Sequence, residues 1–191
     1  MQRSKTERVL RLIYVLAVGC LARSARLGAT SYPPMTFDDL IAKADVIFVG
    51  EVVDVRPLVV TVRGESVVKT RVVFAVRDAL WGTSSALEIF EFLGGEVGDL
   101  RLSVAEMPQF VVGDRRVMFA YRARSMNPIV GFTQGALKIQ PDAAGVDRVL
   151  TLESAPVVRG EQFGRPRALS ADPAMTLRDL DRKSTRLNSS H

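Results

Sequence analysis

Val67-Val68-Lys69-Thr70-Arg71-Val72-Val73-Phe74-Ala75-Val76-Arg77 alternates clearly. Val68, Thr70, Val72, Phe74 and Val76 share one face, while Lys69, Arg71 and Arg77 share the other. A period of two, carried by β-branched and aromatic residues, reads as a half-buried strand. Working outward, Val46 to Val55 is a second strand, dense in β-branched residues, with Gly50 marking a bulge or close backbone approach. Leu87 to Leu93 is a third, Arg116 to Arg122 a fourth with Val117, Phe119 and Tyr121 aligned, and Pro128 to Ile139 a fifth. Turn signals separate them at Arg63-Gly64, Trp81-Gly82-Thr83-Ser84, Gly94-Gly95 and Gly113-Asp114.

Before the first strand, Thr36-Phe37-Asp38-Asp39 is a capping box, and Phe37, Leu40, Ile41 and Ala44 follow helical spacing. No long helix alternates with the strands, so βαβ units and a parallel sheet are excluded. The expectation is a mainly β fold: a small five-stranded OB-like barrel, closed or nearly so, carrying a short N-terminal helix over residues 30–152. Arg148 to Leu152 adds an edge strand, and 155–173 read as loop. Met175-Thr176-Leu177-Arg178-Asp179-Leu180 echoes Met35-Thr36-Phe37-Asp38-Asp39-Leu40, which two capping boxes explain, so 153–180 are loop and the start of a truncated helix.

The net charge of +5 suggests a polyanion partner until its location is considered. Residues 1–29 carry six basic side chains against Glu7, and 181–191 carry three against Asp181. That leaves 17 basic and 19 acidic residues in 30–180, so the body is slightly acidic and nucleic acid is not an expected partner. Arg3 to Arg11 followed by the apolar run Leu12–Ala22 reads as a signal peptide over 1–29, with a mature start near Thr30. Ala17-Val18-Gly19-Cys20 resembles a lipobox, which implies lipidation at Cys20, although Leu is usual where Ala17 stands. The expected location is periplasmic or extracellular, or lipid-anchored to a membrane; the membrane enters only through the signal peptide or that anchor. Asp181 to His191 resembles the conceptual translation of a widely used sequencing adapter, and is set apart as an artefactual tail. His191 and Cys20 are the chain's single histidine and cysteine, so a body of 30–180 has neither.

Ala44-Asp45-Val46-Ile47-Phe48-Val49-Gly50-Glu51-Val52, Ala79-Leu80-Trp81-Gly82, Gly94-Gly95-Glu96-Val97-Gly98 and Phe110 to Phe119 together resemble a group of uncharacterised exported bacterial domains. Over about residues 36–140 that group is similar in turn to the netrin-like OB-fold domain of tissue inhibitors of metalloproteinases. The resemblance implies the fold. Those inhibitors chelate the protease zinc through an N-terminal cysteine, which a chain starting near Thr30 lacks, so their chemistry transfers to no residue here.

The glycine-rich 94–98 segment lacks the Lys and Ser/Thr of a phosphate loop and reads as a turn. Glu88 and Glu91 fall on opposite faces of a strand, unsuited to paired acid–base work. Asp38, Asp39 and Asp45 match no calcium loop. Arg115, Arg116, Arg122 and Arg124 read as a solvated basic face. No catalytic residue, cofactor or metal is implied. The expected function is a non-catalytic exported domain binding a protein or cell-envelope component through loops 57–66 and 94–112, including the modulation of a protease. Its candidate contact residues are Trp81, Gly94, Gly95, Glu96, Met107 and Phe110. The alternative is an envelope hydrolase using carboxylates or a Ser–Lys pair, which composition permits and no motif supports.

Overall fold

In a computed structural model, residues 32–82, 85–123, 126–158, 160, 162–163 and 175–180 are described. The expected signal segment, Cys20 and the 181–191 tail lie outside them. Thr36 caps helix α1 (Phe37–Lys43) through a complete capping box with Asp39, and Asp38 and Asp39 place negative charge in its first turn. Ala44 then turns extended and the chain enters β1 (Val46–Val62), followed by β2 (Glu65–Trp81) and β3 (Leu87–Leu93). Two short strands, β4 (Gly95–Val97) and β5 (Leu100–Leu102), precede β6 (Arg115–Ala120), β7 (Ala136–Pro141) and β8 (Asp147–Leu150). The mainly β composition with one short leading helix is as expected.

Closure is not. Six strands form one antiparallel sheet in the order β3-β2-β1-β6-β7-β8, and β4-β5 form a separate ribbon. Among the described residues no ladder joins β3 to β8, so the hydrogen-bonded sheet is open, where a closed or nearly closed five-stranded barrel was expected. The physical reason lies in the central strands. Val46, Ile47, Phe48 and Val49 are all at most 5% exposed, as are Arg116 to Ala120. Both faces of β6 and of the start of β1 are therefore buried, whereas a closed barrel needs only its inner face dry. One face packs Phe48, Val52, Val72, Phe74, Phe90, Phe92 and Met118 together. The other carries Ile47, Val49, Val117, Phe119, Leu137 and Val149 under α1 and the segments around Val157 and Met175.

Those covering segments are tied to the sheet by backbone bonds. Val157 N–H donates to Val149, Met175 to Val157, and Phe163 to Met35, at 3.1, 2.8 and 2.9 Å. The echoed motif has one role twice. Thr176 and Asp179 close a second reciprocal cap, and Met35, Leu40, Met175 and Leu180 all enter the same cluster.

Register shifts interrupt the β1–β2 ladder at Ile47/Phe48, Val49/Gly50 and Val52/Asp54. The second is the bulge that Gly50 signalled. A Cβ there would stand 2.7 Å from the Phe48 ring, so only glycine lets that ring lie back along its own strand. Such bulges raise the local twist and curl the phenylalanine face inward. Residues 57–66, expected as a loop, are instead a continuation of β1 and β2 through Val62 and Glu65, turning at Arg63-Gly64. Pro57 is tolerated because β6 pairs β1 only as far as Glu51, leaving that side of the strand without a ladder to break.

Candidate functional site

Five of the six candidate contact residues surround one cavity of about 330 Å³. Gly94, Gly95 and Glu96 form one wall, Met107 and Phe110 another, and Val72 and Phe92 lie at its base. Several local features place them. Gly94 N–H donates to Val68 at 2.9 Å, and its carbonyl accepts the Thr70 hydroxyl at 2.8 Å, anchoring the turn out of β3 to β2. Gly95 has φ +136°, and a Cβ on it would meet Thr70 Oγ1 at 2.7 Å and Pro57 Cβ at 3.3 Å. Only glycine can start β4 this close to β2. The 94–98 segment, expected as a plain turn, is thus the first half of the β4–β5 hairpin. Glu96 faces Arg101 across it at 3.4 Å, an exposed pair of little energetic weight.

Phe110 meets Phe74 edge-on at 5.5 Å and Phe92 at 5.0 Å, so its ring extends the buried aromatic cluster to the cavity mouth. Met107 packs against the same cluster. The cavity is accordingly apolar at its base, with Thr70, Glu96, Arg101 and Gln109 on its walls. More of its surface is polar than apolar, the apolar part coming from the aromatic cluster at its base.

Trp81 does not line this cavity. It ends β2 opposite Ile47, 37% exposed, rather than lying in a turn. Cys20 lies outside the described residues.

Of the arginines expected on one solvated face, Arg124 lies outside the described residues and the other three separate. Arg115 makes a two-pronged pair with Asp147 at 2.9 and 2.6 Å, which holds the aspartate below the usual carboxylate range and raises the guanidinium. Arg122 donates from its guanidinium to the Gly82 carbonyl and from its backbone to Asp45. Arg116 turns inward instead, 5% exposed, which corrects its reading as a solvated residue. The missed signal is parity: Arg116 shares a face with Met118 and Ala120, and that face is also buried.

Glu91 bonds Arg71 at 3.0 Å and Lys69 at 3.4 Å, and the Arg71 bond lowers its pKa. Asp39 is held low by the Thr36 backbone and hydroxyl donors. These carboxylates are ionised acceptors within structural pairs, the opposite of a raised general acid.

Two other hollows escaped the sequence reading. One, of about 580 Å³, is lined by Tyr32, Tyr121, Met126 and Phe132, with Tyr32 stacked on Phe132 at 4.5 Å. The other, of about 630 Å³, holds Arg116 and Lys138 and shares the Met107–Gln109 segment with the first cavity. No family model, curated protein or solved structure matches the chain.

Proposed function

We propose that the chain is an exported, non-catalytic binding protein with an OB-like architecture, delivered by its N-terminal leader to the periplasm or the exterior. There the cavity between the 94–96 and 107–110 segments engages a protein or envelope component. The observation that carries this reading is convergence. Residues separated by up to 16 positions in the chain, Gly94 to Phe110, close around one cavity of about 330 Å³. In the OB architecture loops at the end of the coiled sheet present ligands, and the curled phenylalanine face ends at this cavity. The leader reading rests on the charge and hydropathy pattern of residues 1–29.

A photo-crosslinking residue at the exposed Gln109, in full-length chain expressed with its leader, tests both parts. The expected result is a defined cross-linked product in the envelope fraction that disappears in a Met107→Ala, Phe110→Ala double variant. A product unaffected by the double variant, or one confined to the cytosol, would overturn the reading. Modulation of an extracellular protease is its narrower form and rests on the netrin-like resemblance. Unchanged hydrolysis rates over a panel of metalloproteases would remove that form alone.

A further inference from the structure

Arg116 and Lys138 are partners in the β6–β7 register, two cations directly opposite one another on the face that buries Met118 and Ala136. Like charges placed so repel, and burying Arg116 and half-burying Lys138 adds a desolvation cost. Compensation around them is incomplete. Arg116 Nη2 donates to Asp114 at 2.6 Å and its guanidinium carbon lies 5.6 Å from the Phe110 ring centroid. Its Nε and Nη1 are buried without a hydrogen-bond partner. The Lys138 ammonium donates to the Leu152 carbonyl and, at 3.3 Å, to Ser154 Oγ, both neutral acceptors. Among the described residues no carboxylate lies within ion-pair distance of Lys138.

Both cations line the cavity of about 630 Å³, whose remaining wall includes Val111, Ile139 and Leu152. Val111 is 66% exposed, so the cavity opens on solvent. Arg115, also on the wall, is already neutralised by Asp147. Glu106 and Asp114 are the lining carboxylates, and Glu106 stands exposed on the rim. With Arg115 paired to Asp147 and the exposed Glu106 set aside, Arg116 and Lys138 face Asp114 alone, a surplus of one positive charge beside apolar walls.

We propose that this cavity is a binding site for an organic monoanion, a carboxylate with an apolar body. The carboxylate is held between Arg116 and Lys138, and the body lies along Val111 and Leu152. One negative charge balances the surplus, and a carboxylate has acceptor lone pairs enough for a guanidinium N–H and the ammonium together. A small inorganic ion would leave most of the volume unfilled. The carboxylate belongs either to a free acid or to the C-terminus of a peptide. The site is separate from the cavity of the proposed function, with Met107, Pro108 and Gln109 as their common wall.

Calorimetric titration of the full chain with hexanoate, hexanamide, inorganic phosphate, and a short apolar-ended peptide in acid and amide forms tests this. Saturable binding of hexanoate or of the acid-form peptide is expected, with hexanamide and the amide peptide silent. Binding of hexanoate assigns the free acid as a source, and binding of the peptide acid alone assigns a chain terminus. Lys138→Met and Arg116→Met should each weaken binding by about tenfold or more, while Arg56→Gln, at a 73% exposed side chain, leaves it unchanged. Should Arg116→Met fail to fold, Lys138→Gln carries the test. Silence of both acids, preference for phosphate, or equal binding by the lysine variants overturns the proposal.

Discussion

The guanidinium of Arg116 stands 5.6 Å from the ring of Phe110, and through that contact one buried cation and one aromatic plug hold each other in place. Phe110 touches Phe74 and Phe92 on the other side, so the contact joins the charged end of the sheet to its aromatic core.

Phe110→Ala should therefore lower stability by about 2–3 kcal/mol, less than the 3–5 typical of a fully buried Phe because this one is only partly covered. Phe74→Ala, at 0% exposure, should reach about 3–5 kcal/mol. Urea unfolding midpoints of the two variants check the order; a larger loss at Phe110 would contradict the packing described.

Removing one member of the Arg116–Asp114 pair has opposite consequences depending on which is removed. Asp114→Asn leaves a buried guanidinium without its counter-charge and should destabilise by about 1–3 kcal/mol. Arg116→Met replaces an incompletely bonded charge by an apolar chain of similar length and should be neutral or stabilising. Thermal unfolding of both variants decides it, and equal losses would mean that Arg116 has partners the described residues do not supply.

Gly95 and Gly64 both have positive φ, at +136° and +88°, yet they should tolerate alanine very differently. At Gly64 a Cβ meets open space, so Gly64→Ala should cost only the backbone strain of about 1 kcal/mol. At Gly95 the Cβ also strikes Thr70 and Pro57, and about 2–4 kcal/mol is expected. Denaturant titration resolves a gap of this size.

Asp147 and Glu91 have folded pKa values lowered mainly by hydrogen bonds from Arg115 and Arg71. A depressed folded value means that the unfolded chain takes up protons first on acidification. Their stabilisation is present above the unfolded carboxylate value of about 4 and is lost as pH falls below it toward the folded values. Stability should hold from neutrality to about pH 5 and then decline, with a shallower decline in Asp147→Asn. Both pairs are partly exposed, so added salt should shrink the effect. A stability that rises on acidification below about pH 4 would contradict the assignment.

Much of the local structure was legible because it depends on neighbours in the chain. The capping box at Thr36–Asp39, its echo at Thr176–Asp179, the Leu87–Leu93 strand and the Gly50 bulge follow from side-chain hydrogen bonding and periodicity within a few residues. The loop reading of 57–66 failed for the converse reason. Pro57 and Gly64 are breakers locally, but Pro57 sits where β1 has lost one neighbour and Gly64 makes the hairpin turn itself.

The mainly β character of the chain, the start of its helix and its alternating stretches were readable from residue order, because these are short-range consequences of backbone and side-chain geometry. Residue order also marked Gly94, Gly95, Glu96, Met107 and Phe110 without saying that they meet. Tertiary structure alone decided that the sheet stays open, that both faces of β6 and of the start of β1 are dry, and that the buried Arg116 sits opposite a half-buried Lys138. Which face of a strand meets solvent depends on what packs on it from distant chain. Here α1 and the segments at Val157 and Met175 cover the face that alternation left unassigned.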